Sequence, residues 1–163
     1  MSNSPIDTLS HINPDNNPAM VNVSDKAITK RIAKARSIVK LTPEIMKLLN
    51  EGEIMTKKGT VFQTAIIAGT MAAKKTGELI PLCHPIGLES CDIEIKNDSD
   101  NIIIDCTCSV CSKTGVEMEA LTGASVAALT IYDMCKAMSH NIIILETKLI
   151  YKTGGKNDFS RAD

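Results

Sequence analysis

Between Arg31 and Leu41 apolar or small residues alternate with charged ones. Ala33, Ala35, Ser37, Val39 and Leu41 fall on one side, and Lys34, Arg36 and Lys40 on the other. A period of two is that of a strand with one buried face. Pro43 can open a short helix over Glu44 to Asn50, because a first helical position does not need its N–H, and Gly52 can close that helix. From Thr60 to Thr76 the period lengthens: Phe62, Ile66, Gly69 and Ala73 recur at helical spacing. Thr60 and Gln63 make a capping-box pattern at its front, and Lys74, Lys75 and Gly77 suit its end. Two further strands, Leu88 to Asn97 and Ile102 to Cys111, flank the turn-rich Asn97-Asp98-Ser99-Asp100-Asn101 and predict a hairpin.

An Ala-rich stretch from Glu119 to Ser139 follows, with Ala120, Ala124 and Ala128 four apart on one helical face. The last element, Asn141 to Lys152, carries Ile142, Ile143, Ile144, Leu145, Leu149 and Ile150, and makes a fourth strand before the Gly154-Gly155 break. No internal repeat interrupts this order. Strand, helices, strand, strand, helix, strand predicts an α+β domain of the ferredoxin-like kind: a four-stranded antiparallel sheet with helices packed on one face. Residues 19–163 form that one domain. Met1 to Pro18, rich in Ser, Asn, Asp and Pro, read as a mobile arm.

Composition narrows the partners. The chain has 163 residues, of which 44% are hydrophobic but only 2% aromatic, so one core must be built from Ile, Ala, Val, Leu, Met and Cys, and its helices can approach closely. A net charge of -1 offers no general attraction for nucleic acid or anionic membrane. No signal segment or membrane-length apolar run is present, which leaves the cytoplasm, where the six cysteines read as free thiols.

Several local patterns carry chemistry. Lys58-Gly59 precedes a helix whose first N–H groups suit a phosphate, although a solvated lysine in a loop has the same sequence. His84 lies between Pro81 and Pro85, whose restricted backbones can aim an imidazole, or simply leave it bonded to the main chain. Thr114 and Glu117 fit a second capping box, and Glu119 can favour the positive end of the following helix. Asp133 and Lys136 share a helical face; exposed, they form a weak ion pair, and partly buried beside other cations the lysine can fall toward a basic amine. Lys152 and Lys156 bracket a Gly-containing loop able to wrap phosphates, although P-loop spacing is absent. Cys106, Cys108 and Cys111, with Cys83 and His84, invite a metal assignment. Strand alternation instead puts Cys111 opposite Cys106 and Cys108, and ordinary buried thiols are expected.

Taken together, Lys58-Gly59-Thr60-Val61-Phe62, Leu79 to Pro85, Lys113 to Thr122 and Leu129 to Lys136 resemble the cyclic pyranopterin monophosphate synthase family of molybdenum cofactor biosynthesis, over about Met20 to Phe159. The resemblance implies conversion of a 3′,8-cyclised dihydro-GTP to cyclic pyranopterin monophosphate with release of pyrophosphate. It further implies a ferredoxin-like subunit, a homohexamer built as a trimer of dimers, and active sites shared by two subunits. By motif it makes Lys58, Asp133 and Lys136 catalytic. It places Arg31, Cys83, His84, Glu117, Met118, Glu119, Lys152 and Lys156 around the substrate, with no metal ligand among them. No redox cofactor is implied, and Mg²⁺ accompanying the triphosphate is the one cofactor left open. Geometry agrees with sharing: on one helix Glu119 and Asp133 would stand about 21 Å apart, too far for one small ligand. One departure is Asn22, where the family carries Asp. Two rival readings remain: a module that binds the nucleotide without catalysis, and a thiol-bound metal protein.

Overall fold

A computed structural model of the chain describes residue 15 and residues 17–161. Most of the arm expected over residues 1–18 therefore lies outside the described residues. Four long strands, β1 (Thr29–Lys40), β5 (Ser90–Asp98), β6 (Asn101–Ser112) and β7 (Ile143–Thr153), form the main sheet, with every pairing antiparallel. Their ends fall within two residues of the sequence expectation. The period of two is faithful because one face is covered and the other is not: Ala33, Ala35, Ser37, Val39 and Leu41 are all buried, as alternation requires. On the opposite face Asp105 is also buried, held by Arg36 at 2.7 and 3.0 Å and by Lys34 at 2.9 Å.

The sheet has five strands, in the order β5-β6-β1-β7-β8, and so departs from the four expected. The fifth, β8 (Phe159–Ser160), pairs with Tyr151 and Lys152. Two residues are too few to display a period, so alternation could not reveal it.

The helix expected over Glu44 to Asn50 is also revised. Only Pro43–Met46 is helical (α1), and Leu49–Asn50 becomes β2, hydrogen-bonded to β3 (Glu53–Thr56). Glu51 and Gly52 have φ of 48° and 80°, the pair of positive angles that a two-residue hairpin turn demands. A glycine read as a helix stop is thus a hairpin glycine. Met55 and Thr56 of β3 then pair with β4 (Gly59–Thr60), leaving Lys57 and Lys58 at the tip of a second hairpin.

Two long helices cover the sheet: α2 (Val61–Lys74), followed by the short α3 (Thr76–Leu79), and α4 (Glu117–Cys135). Ala120, Ala124 and Ala128 are fully buried, and the scarcity of bulky residues lets α2 and α4 touch backbone to backbone. A Cβ placed on Gly69 would lie 2.7 Å from the carbonyl oxygen of Gly123, so α2 could not carry alanine there without moving away from α4. The long helix ends at Cys135, four residues before the expected Ser139, with Lys136 as its cap. The core is one contiguous cluster between sheet and helices.

Candidate functional site

The side chains expected to work together collect at the two ends of α4. At its C-terminal end Asp133 accepts from Lys136 at 2.6 Å and from Lys58 at 2.9 Å, and the Lys58 ammonium also donates to the Asp133 carbonyl at 3.0 Å. The hairpin of β3 and β4 brings Lys58 across 75 positions of sequence to meet the last turn of α4. Hydrogen bonds from Lys136 and Lys58 hold the Asp133 carboxyl down to about 2, and Asp133 in return moves the Lys136 pKa up. Of the two alternatives for this pair, one chain alone shows the exposed ion pair: all three side chains are about half exposed, and the nearest charge to Lys136 is an anion. Beside Lys58 a hollow of about 390 Å³ is walled by Met55, Met134 and Met138.

The helix start after Lys58 is not an open anion site. The Glu53 carboxylate accepts from the N–H groups of Phe62 at 2.8 Å and Gln63 at 3.1 Å, and from its neighbour Ile54 at 2.7 Å. This cap from a distant strand replaces the expected Thr60–Gln63 box, for Thr60 makes no side-chain cap. Its effect is to pin the hairpin bearing Lys58 to α2.

At the other end of α4 two cavities adjoin, sharing Thr114, Gly115 and Glu117. The first, about 270 Å³, is lined by Cys83, His84, Met118 and Glu119. The second, about 220 Å³, gathers Arg31, Lys152 and Lys156 with Lys26 and Lys113. Glu119 is only 3% exposed, and burial, opposed by a backbone hydrogen bond and aided by the charge of Glu117, raises its pKa to about 6. The Cys83 thiol is pushed up by burial and by Glu119. The His84 ring is fixed by Nε2 against the Val21 carbonyl at 2.8 Å. Arg31 donates from Nε to the Ser112 carbonyl at 3.2 Å and from Nη2 to the Lys113 carbonyl at 3.5 Å, which holds its guanidinium in the wall of the second cavity.

Glu117 does not cap α4, whose N-cap residue is Val116 and makes no side-chain cap. Its carboxylate reaches out to Lys152 at 3.0 Å instead, and a Cβ on Gly115 would collide with it. Gly154 has φ of 82°, and a Cβ there would strike the Lys30 carbonyl, so the loop carrying Lys156 depends on glycine at that point. Lys26 and Lys113 are not among the residues the sequence singles out, yet both line the second cavity. Lys113 directly follows β6, and its ammonium donates to the Ser24 carbonyl, tying the N-terminal segment to the cavity rim. Asn22 accepts from the Ser24 N–H at 2.8 Å, a local turn that Asn forms as well as Asp, so the departure at this position costs no contact seen in the fold.

Every residue expected at the site thus lies at one end of α4 or the other, and the two groups do not meet within the chain. Residues 20–155 match the MoaC family. The chain belongs to that family. A cyclic pyranopterin monophosphate synthase of Xanthomonas axonopodis pv. citri is 50% identical over 155 residues, covering 94% of each chain. One of Brevibacillus brevis is 50% identical over 159 residues, covering 96% of this chain and 98% of its own. Molybdenum cofactor biosynthesis protein 1 of Dictyostelium discoideum is 53% identical across 91% of this chain, which spans only 26% of that longer protein. The relatives of nearly equal length are thus cyclic pyranopterin monophosphate synthases by name, and the longer one is named for molybdenum cofactor biosynthesis. Among the described residues no helix is long and apolar enough to cross a membrane.

Proposed function

We propose that this chain is a cyclic pyranopterin monophosphate synthase, a lyase that converts (8S)-3′,8-cyclo-7,8-dihydroguanosine 5′-triphosphate to cyclic pyranopterin monophosphate and pyrophosphate. The observation that carries the reading is the preformed Lys58–Asp133–Lys136 constellation, on a chain half identical to synthases of the same length.

The geometry suggests a division of labour. The cavity of Arg31, Lys113, Lys152 and Lys156 supplies the positive charge that a triphosphate needs, and each charged hydrogen bond of this kind is worth about 1.5 to 3 kcal/mol. Mg²⁺ belongs to this reading only as the counter-ion that the triphosphate carries with it. The neighbouring cavity, with His84, Met118 and the raised carboxyl of Glu119, suits a neutral, hydrogen-bonding pterin precursor. Ring opening and cyclic phosphate formation require protons to be given and taken, the work of Lys58 and Lys136.

A single chain cannot bring these parts together, since Glu119 and Asp133 are about 21 Å apart along α4. We therefore assign the active site to two protomers, in a hexamer assembled as a trimer of dimers. The exposed Ile67, Met71 and Leu129 on the outer helices are apolar surface that an assembly would cover. The approach of a second protomer's cationic cavity would set like charge beside Lys58 and Lys136 and lower the pKa of one of them, freeing an amine. The ferredoxin-like description fits the four long strands and two covering helices, with β8 as an appended edge. Six free thiols accord with residence in the cytoplasm.

The decisive experiment incubates the purified protein with the cyclised GTP derivative. One pyrophosphate should appear for each cyclic pyranopterin monophosphate; tight binding with neither product would reduce the protein to a nucleotide-binding module.

A further inference from the structure

Of the cysteines weighed in the sequence as metal ligands, the fold keeps only Cys106 and Cys108 together. Cys111 is exposed, away from Cys106 and Cys108, and Cys83 lies in the cavity beside Glu119. The hairpin of β5 and β6 brings in a different thiol: Cys91 stands directly across from Cys108, with Cys106 two residues along the same face. The Cys106 sulfur lies 4.0 Å from that of Cys91 and 3.9 Å from that of Cys108, and all three are within 4.8 Å of one another.

We propose that Cys91, Cys106 and Cys108 bind one soft d¹⁰ metal ion, Cu(I), in three-coordinate sulfur geometry, away from both ends of α4. An ion at the centre of three sulfurs, with bonds of about 2.3 Å, spaces those sulfurs about 4.0 Å apart, close to the two separations observed. Packing as small hydrophobes explains each thiol singly, but gives no reason for three polarisable sulfurs to converge on one point. Among the described residues no other His, Cys, Asp or Glu joins the three. A structural Zn²⁺ would lack its usual fourth ligand, whereas Cu(I) takes three soft donors readily.

The walls fit this use. A Cβ on Gly123 would lie 2.7 Å from the Cys106 sulfur, so α4 leaves room for that sulfur only because the residue is glycine. Cys106 and Cys108 are fully buried, while half-buried Cys91, on an edge strand, marks the side from which an ion enters. Copper stays Cu(I) throughout: each thiol that becomes a thiolate ligand sends its proton to solvent, and nothing is oxidised. The bound ion ties β5 to β6 beneath the seam of α2 and α4, and so stabilises the folded state.

The test titrates the reduced, metal-stripped full chain, without oxygen, with Cu(I) buffered by bathocuproine disulfonate. One Cu(I) per chain should leave the chelator, X-ray absorption should show three sulfurs at about 2.3 Å, and the unfolding midpoint should rise. Cys91→Ala should weaken uptake by at least about 100-fold, because even the outer partners of a metal ligand are worth about 10- to 100-fold. Cys111→Ala and Cys83→Ala should leave uptake unchanged. Circular dichroism shows whether each variant folds; half-buried Cys91 is the position whose truncation disturbs the core least, so its variant decides the matter if Cys108→Ala unfolds. Uptake that survives Cys91→Ala, uptake lost on Cys111→Ala, two-sulfur coordination, or tetrahedral Zn²⁺ held in preference to Cu(I) would each overturn the proposal.

Discussion

The two ends of α4 handle charge in opposite ways. At the C-terminal end two ammonium groups share one carboxylate in the open, so every charge has a partner and none is deeply desolvated. At the N-terminal end one carboxyl is buried almost completely, while the surrounding cations line a cavity, Lys152 paired with Glu117 and Arg31 and Lys113 bonded to backbone carbonyls. Satisfied, exposed charges hold a fixed geometry without committing to a ligand, whereas a cavity of surplus positive charge is complete only when an anion fills it. Under the proposed function, the difference separates residues that exchange protons from residues that grip the substrate.

The largest effect should come from the exposed end. Lys58→Ala removes a group that donates to both the carboxylate and the carbonyl of Asp133, yet buries nothing, so the fold should survive. Pyrophosphate release under saturating substrate should fall by about 10²- to 10⁴-fold, the usual worth of a positioned acid or base. A loss confined to KM would move Lys58 from chemistry to binding and erase the contrast between the ends.

Mixing tests whether the two ends belong to one site. Lys152→Ala should lose about 10- to 100-fold in kcat/KM, as expected for one charged contact to phosphate. If two protomers share each site, Lys58→Ala and Lys152→Ala chains refolded together should recover about a quarter of wild-type activity, because half of random dimers are mixed and each mixed dimer has one intact site. No recovery above the sum of the separate variants would place both ends in one protomer's site.

The contrast also shows what could be read without coordinates. Alternation located the four long strands because a sheet covered on one face makes burial and period the same thing, as in Ala33, Ala35 and Val39. Local capping patterns failed at both long helices, where competing partners are remote: Glu53 reaches α2 from another strand, and Lys152 draws Glu117 away from α4. No local pattern encodes either. The helical spacing of Asp133 and Lys136 is legible, but the third member arrives at the tip of the β3–β4 hairpin, whose strands are too short to display a period, and only the family resemblance joins Lys58 to them. Lys26 carries no local motif, and Lys113 only opens the family stretch that runs to Thr122; both join the cavity through the folding of the chain around Arg31.

The buried end predicts a pH effect on stability. The Glu119 pKa is about 6 in the folded chain against an ordinary 4.5, so folding favours the protonated form. This contribution is fully present below pH 4.5 and is lost as pH rises through about 6, above which folding must bury a carboxylate at a cost of up to about 2 kcal/mol. Glu119→Gln, neutral at every pH, should gain about that much on the wild type between pH 4 and pH 8 in urea unfolding. A difference independent of pH would mean that Glu119 is ionised at no cost, and that the buried end is not distinct in the way its geometry indicates.

The smallest effect should come from the strut between the two themes, Glu53, which touches neither cavity but fixes the hairpin bearing Lys58. Glu53→Ala strips two N–H groups of α2 of their acceptor, a loss comparable to that of a helix cap, about 1 kcal/mol and a few degrees in Tm. Glu53→Gln keeps one carbonyl oxygen and should recover part of it. Activity should decline far less than in Lys58→Ala, because the ion pairs with Asp133 still draw the hairpin into place. Were Glu53→Ala instead to abolish pyrophosphate release in a chain that remains folded, the C-terminal cluster would have to be held mainly from β3, and its own ion pairs would no longer account for its geometry.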